Sequence, residues 1–230
     1  MNTIYISQRI ILLIFLSLPF LAVSQRGPLT GKGNTIEKKV DIANFDKVEL
    51  VDLADAVIEI EVGKAWSVSI KIAENLFPLL SVEKEDTENL LKIKLKGNDR
   101  NRLYIEDSKI TIRITMPEAS VVRNTGNQNV FVNGIVGRYF RAEVRGNGKL
   151  VASGSIDELD IQQQGNGDVD TSGVTAKLAR VKKQGNGNIY VNSLLSLQAN
   201  GSGNGNVVQR GPGSIHPLSG ITGNGEVIKK

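Results

Sequence analysis

Six glycine-asparagine corners recur at near-constant intervals through the second half of this 230-residue chain. They read Gly126-Asn127-Gln128-Asn129-Val130, Gly146-Asn147-Gly148-Lys149-Leu150, Gly165-Asn166-Gly167-Asp168-Val169, Gly185-Asn186-Gly187-Asn188-Ile189, Gly203-Asn204-Gly205-Asn206-Val207 and Gly223-Asn224-Gly225-Glu226-Val227. Successive asparagines lie 20, 19, 20, 18 and 20 residues apart. A fixed period of this length marks a stacked repeat, in which each unit buries its apolar face against the next and cannot do so alone.

Aligning residues by their distance from the corner asparagine exposes the core. Three positions after it stand Val130, Leu150, Val169, Ile189, Val207 and Val227. Five positions before the second to fifth corners stand Ala142, Ile161, Val181 and Ala199, and seven before stand Phe140, Leu159, Ala179 and Leu197. Residues two apart share one face of a strand, so these columns point inward together. A second small-residue corner follows at Gly134, Gly154, Gly173, Ser193 and Gly211. Short strands between sharp bends, repeating about every 20 residues, predict an all-β, single-stranded, right-handed parallel β-helix (β-solenoid) with rungs about 4.8 Å apart. Asn127, Asn147, Asn166, Asn186, Asn204 and Asn224 are then expected to form a vertical ladder, each amide donating to one neighbour and accepting from the other. The glycine on each side is expected to supply the left-handed backbone of the bend.

The first half is less regular. Val57–Val62, Val68–Ile72, Leu91–Leu95 and Ile110–Met116 alternate apolar and polar residues, the pattern of half-buried strands. Before them, Arg9 precedes an apolar run from Ile10 to Leu21 and the small-residue segment Ala22-Val23-Ser24. This is the form of a secretory signal peptide, residues 1–24, too short in its apolar part for a bilayer of about 30 Å. Residues 25–35 read as a flexible leader, and 36–230 as the β-helix domain, with less regular rungs or a fold-back sheet over 36–120 and regular rungs over 121–230.

Composition narrows the chemistry. The chain has no cysteine, so it forms no disulfide and carries no lipid on a cysteine. Its one histidine, His216, cannot build a histidine-based triad or a multi-histidine metal site. The glycine corners lead into strands rather than helices, unlike a phosphate-binding loop. Asp168 and Asp170 lie two apart on one strand face and, within a cluster with Asp157 and Asp160, offer a carboxylate pair for glycoside cleavage, but a solvated, salt-bridged face is the plainer reading. No nine-residue aspartate repeat for calcium is present. Net charge is +4, with basic and acidic residues interspersed and few aromatics, which argues against nucleic acid.

Phe45-Asp46-Lys47-Val48-Glu49-Leu50, the alternating strands from Val57 to Ile72, Leu91–Leu95, the strand ending at Met116-Pro117 and the Gly-Asn-Gly corners together resemble the "putative auto-transporter adhesin, head GIN domain" family. The resemblance implies a secreted bacterial β-helix and an adhesive role, and it transfers no site residues. Many members resemble lipoproteins, whereas this chain lacks the cysteine a lipid would need.

These readings converge on a non-enzymatic extracytoplasmic protein, periplasmic, cell-surface or secreted. It is expected to need no cofactor and no metal, and to have no membrane span once the signal is cleaved. Its expected partner is a cell-surface protein or a glycan met by the repetitive faces, where Gln164 and Gln184 form polar columns. The open last rung is expected to be covered by the N-terminal half or by self-association. The competing reading is a carbohydrate-active β-helix enzyme using acids near Asp168 and Asp170.

Overall fold

The alternating apolar columns of the second half close into a parallel β-solenoid in the computed structural model, which describes residues 27–230. The expected signal peptide, 1–24, lies outside the described residues. In chain order the strands are β1 (Leu29–Thr30), β2 (Thr35–Val40), β3 (Lys47–Val51), β4 (Val57–Val62), β5 (Ser67–Ala73), β6 (Leu80–Glu85), β7 (Leu90–Leu95), β8 (Ile105–Glu106) and β9 (Thr111–Met116). The second half contributes β10 (Val121–Gly126), β11 (Asn129–Gly146), β12 (Leu150–Gly165), β13 (Val169–Gln184), β14 (Ile189–Ser202), β15 (Val207–Gln209), β16 (Ser214–Ile215), β17 (Gly220–Thr222) and β18 (Val227–Lys229).

Each long strand from β11 to β14 wraps most of one turn. Leaving its asparagine corner it runs along an exit face (129–133 in β11), bends at the second corner, crosses a third side and returns along an approach face (141–146 in β11). The register explains why the period varies. On the exit face Val132 pairs with Ala152, 20 residues on, but past the bend Ile135 pairs with Gly154, 19 residues on. The next interfaces also shift beyond the exit face, between Val151 and Ser153 and between Thr171 and Leu178. Changes in rung length are thus taken up at the second corner and along the third side, and the asparagine corners stay stacked.

The inward columns form one continuous core. Phe140, Leu159, Ala179 and Leu197 are buried, as are Ala142, Ile161, Val181 and Ala199 and the first five residues of the column from Val130 to Val207. Each large aliphatic or aromatic side chain removed from water in this way contributes about 1.5–3 kcal/mol before chain entropy is charged against it.

The N-terminal half contributes both parallel rungs and a fold-back sheet, in an order that does not follow the chain. β3 and β4 stack in parallel directly on β10 and β11, forming the first rung. β7 and β9 stack in parallel on the far side of β3 and β4. Antiparallel strands then close this end: β6 on β7, β5 on β9, and β2 on β5. β9 therefore sits between β4 and β5, which are neighbours in sequence. The outermost strands β2 and β6 carry Glu37, Lys38 and Lys39, and Glu83, Lys84 and Glu85, charges that oppose pairing with another chain. Residues 27–35, expected to be leader, are tied to this cap where Leu29–Thr30 pairs with β8 and the Gly31 N–H donates to Asp107 O at 3.2 Å. This contact leaves no sequence period because it involves only two paired residues.

The N-terminal half lies at the opposite end of the stack from the last rung and does not cover it. Among the described residues β18 pairs with β15 alone, and its other edge carries no strand of these residues.

Candidate binding face and its corner ladder

The corner residues divide the conformational work unevenly. The first glycine of each corner is left-handed, with φ of 120° at Gly165 and 135° at Gly185. The second glycine, expected to be left-handed too, is not; a Cβ on Gly167 would stand 2.1 Å from the Gly148 carbonyl oxygen of the rung below. The first position needs glycine for its dihedral, the second for close approach of backbones.

Between these glycines the asparagines stack. Asn147 Nδ2 donates to Asn127 Oδ1 at 3.1 Å, Asn166 to Asn147 at 3.0 Å, Asn186 to Asn166 at 2.9 Å, Asn204 to Asn186 at 2.9 Å and Asn224 to Asn204 at 3.0 Å. Every bond runs in one direction along the stack. Two residues further on, a second ladder joins side chain to backbone: Asn129, Asp168, Asn188 and Asn206 each accept the N–H of the equivalent residue one rung later, at 2.7–3.2 Å.

Inside each bend the backbone carbonyls also need partners, and polar side chains three positions before the asparagine supply several of them. Asn124 Nδ2 donates to Gln128 O at 2.9 Å, and Gln163 Nε2 donates to both Gly165 O and Gly167 O at 3.0 Å. Lys183, 1% exposed, donates its ammonium to Gly185 O. Burial pushes the Lys183 amine below the usual lysine range, partly opposed by the Asp168 carboxylate. The sequence signal was available, since Ile161 and Gln163, or Val181 and Lys183, are two apart and must face the same way. The mixed column Asn124, Val144, Gln163, Lys183, Gly201 disguised it.

On the outside, the approach face carries a groove of about 570 Å³ spanning four rungs. Two vertical rows border it. Glu143, Gln162, Lys182 and Asn200 stand in register, and beside them Arg145, Gln164, Gln184 and Ser202. One end is strongly charged: the nearly buried Glu143 carboxylate has guanidinium nitrogens of Arg123 at 3.5 Å, Arg141 at 3.6 Å and Arg145 at 3.9 Å. Arg141 also holds Asp160 at 3.0 Å, and the Tyr139 hydroxyl donates to Asp160 at 3.3 Å. Burial, then the Asp160 carboxylate, raises the Tyr139 phenol above its ordinary range. The arginines at this end thus pair with acids within and across rungs instead of forming a phosphate-tracking strip. The other end, with Gln164, Gln184, Asn200 and Ser202 around the single lysine Lys182, is rich in donors and acceptors.

Asp168 and Asp170 do not form a free pair. Asp168 Oδ1 accepts Asn188 N at 2.7 Å, while Asp170 Oδ1 accepts the Ser172 N–H at 3.1 Å and its hydroxyl at 2.6 Å. Both carboxylates serve local structure, and the rungs on either side of Asp170 offer Val151 and Tyr190. His216 Nδ1 accepts Leu218 N at 3.2 Å in its turn. Among the described residues no three His, Cys, Asp or Glu side chains converge as metal ligands, and no helix is long and apolar enough to cross a membrane.

Comparison with known proteins agrees with this architecture. No curated protein matches the chain. A crystal structure described as a "putative adhesin" from Bacteroides fragilis superposes with a TM-score of 0.63 at 18% identity, over 88% of this chain and all (100%) of that one. Another, described as a "putative lipid binding protein" from Parabacteroides distasonis, gives a TM-score of 0.54 at 21% identity, over 88% of this chain and 99% of that one. At these identities the likeness is one of fold. The model of the family described as "Putative auto-transporter adhesin, head GIN domain" matches residues 44–213. The chain belongs to that family.

Proposed function

We propose that this head GIN domain protein is a non-enzymatic, adhesin-like binding protein whose approach face holds an extended, hydroxyl-rich polymer, a glycan of a cell surface. The observation that carries the reading is the groove over four rungs, where Gln164, Gln184 and Ser202 repeat hydrogen-bonding groups at the strand spacing on three of them, with Asn200 beside Ser202. A polymer with regularly spaced hydroxyls can engage successive rungs, and several weak contacts on one chain add through effective concentration. The family description points the same way.

The lipid-binding description of the Parabacteroides relative suggests a second type of ligand. Exposed apolar side chains do occur on the third side, at Val136, Leu178, Leu194 and Leu195. Arg138, Asp157, Glu158 and Lys177 interrupt them, and Lys177 pairs with Asp157 at 2.8 Å, so they offer no continuous apolar surface. The enzyme reading has less support, because one oxygen of each of Asp168 and Asp170 is held by hydrogen bonds that serve local structure, and the neighbouring rungs offer Val151 and Tyr190 beside Asp170.

The test is retention on immobilised envelope polysaccharides, comparing the native protein with the double variant Gln164→Ala/Gln184→Ala. Retention by the native protein that falls about tenfold in the variant, with unchanged melting, is the expected result. Equal retention of both, or none on any polysaccharide, removes the approach face as the site. An extracytoplasmic location is part of the proposal. Protease treatment of intact producing cells should cleave or release this protein while a periplasmic control survives; protection equal to the control's would move it behind the outer envelope.

A further inference from the structure

Trp66 is the single tryptophan of the chain, and it stands at the surface of the cap, 38% exposed, on the loop between β4 and β5. The loop is held at several points. Gly63 N donates to Met116 O at 2.9 Å and Lys64 N to the same oxygen at 3.2 Å, while the Thr115 hydroxyl donates to Ala65 O. The indole N–H itself donates to Phe45 O at 2.9 Å. The ring is thereby fixed in orientation with its polar handle engaged, which leaves its apolar face as the contact surface.

Trp66 borders a hollow of about 370 Å³, together with Asn44, Asp46, Asn89 and Glu118. Asn44 and Asn89 are left-handed, with φ of 62° and 52°, and lie where the chain enters β3 and β7 on adjacent rungs; Asn89 is in register with Asp46, and its carbonyl accepts Asp46 N at 3.1 Å. Unlike the asparagines of the main ladder, neither has its side-chain amide in a hydrogen bond among the described residues. Asp46 takes the Ser120 hydroxyl on Oδ2, leaving Oδ1 free, and Glu118 is exposed with no ion pair among the described residues. A rigid aromatic face is therefore ringed by two carboxylates and two amides whose hydrogen-bonding capacity is available.

We propose that this hollow is a binding subsite for one neutral pyranose ring. The face of a pyranose that carries several axial C–H bonds is apolar and slightly positive, and it packs on the negative face of an indole. Its rim of hydroxyls both donates and accepts, which matches planar carboxylates and amides. The volume suits a single ring rather than a polymer. The subsite lies on the cap, away from the approach-face groove, and does not depend on the polymer reading.

Because the chain has one tryptophan, its fluorescence reports the site directly. Native protein is titrated with glucose, galactose, mannose and N-acetylglucosamine, each to about 100 mM, which spans the millimolar affinities expected of one ring on one aromatic. Sorbitol, an open-chain polyol, and choline, a cation, are run alongside. The expected result is a saturable emission change with at least one pyranose and none with sorbitol or choline. Glu118→Ala and Asn89→Gly should each weaken it roughly 3- to 10-fold. Glycine keeps the left-handed backbone at 89, so this variant removes the amide without unfolding the bend. Absence of saturation with every pyranose, an equal response to sorbitol, a response to choline alone, or affinity unchanged in both variants would overturn the proposal. The two sites separate cleanly: Gln164→Ala/Gln184→Ala should titrate like the native protein here, and Trp66→Ala should leave polysaccharide retention intact.

Discussion

At the scale of single residues, the asparagine ladder depends on each amide being both donor and acceptor. Asn186 donates to Asn166 and accepts from Asn204, both at 2.9 Å. In Asn186→Asp the carboxylate still accepts from Asn204 but faces the Asn166 oxygen without a proton. We expect a loss of about 1 kcal/mol at pH 7, measured by urea unfolding. Repulsion raises the new carboxyl's folded-state pKa above its unfolded value near 4, so the folded state binds more protons and the loss should shrink as the pH falls through that raised value. A loss independent of pH would place the damage elsewhere. Lys183 works in the other direction. Its folded-state pKa is lowered by burial, so the unfolded state holds more protons, and this site's contribution to stability rises with pH toward the ordinary lysine value of 10.5. Lys183→Gln should stabilise by about 0.5–1.5 kcal/mol at pH 7, because an amide can make the two carbonyl contacts seen at Gln163 without burying charge. It should also flatten stability in alkaline solution; a destabilised variant would mean the ammonium contact to Gly185 is net favourable. The corner was legible in sequence because one chemistry repeats there six times. The inward polar position was not, because Asn124, Gln163 and Lys183 meet the same carbonyl requirement with three different side chains.

At the scale of strands, legibility followed periodicity. Each strand from β11 to β14 stacks on the one before, so sequence order and spatial order coincide and the register can be counted between corners. The alternation within β4, β5, β7 and β9 likewise identified them as strands, but no period says which pairs with which. The cap places β9 between β4 and β5, parallel to one and antiparallel to the other, an arrangement set by long-range packing. The binding face was partly visible through Gln164 and Gln184, whereas the Trp66 hollow was not, since its members come from four separate segments. This topology makes β9 a keystone: Ile112 and Ile114 are fully buried and the strand is hydrogen-bonded on both sides. Ile114→Ala should cost about 2–4 kcal/mol by chemical denaturation, from lost burial and the cavity left behind. Glu59→Ala, on the solvent side of neighbouring β4 and paired with Arg113 at 3.2 Å, should cost well under 1 kcal/mol. Similar losses from the two would mean that the cap is not packed around β9 in this way.

For the whole molecule, the two ends of the stack differ in kind. A solenoid is stabilised by its rungs and by the interfaces between neighbours, so an uncovered terminal rung has only one such interface. At the N-terminal end, antiparallel strands with charged outer edges complete the hydrogen bonding of the last parallel rung. At the other end β16, β17 and β18 are only two or three residues long, and the inward side chains Ile215, Ile221 and Val227 remain partly exposed. Local opening should therefore begin there and move along the stack. Amide hydrogen exchange should be fastest in β16–β18, slower in β14, and slowest in β10–β12 and the cap strands β4 and β9. Repeating the measurement over a hundredfold range of protein concentration separates fraying from association. Fast exchange at every concentration means that the open edge is solvated. Protection of β18 that rises with concentration would mean that a second copy pairs with it, since an edge without a cap is also a template. Uniform protection from end to end at low concentration would contradict the asymmetry, because it would require the terminal rung to be as firmly held as those packed on both sides.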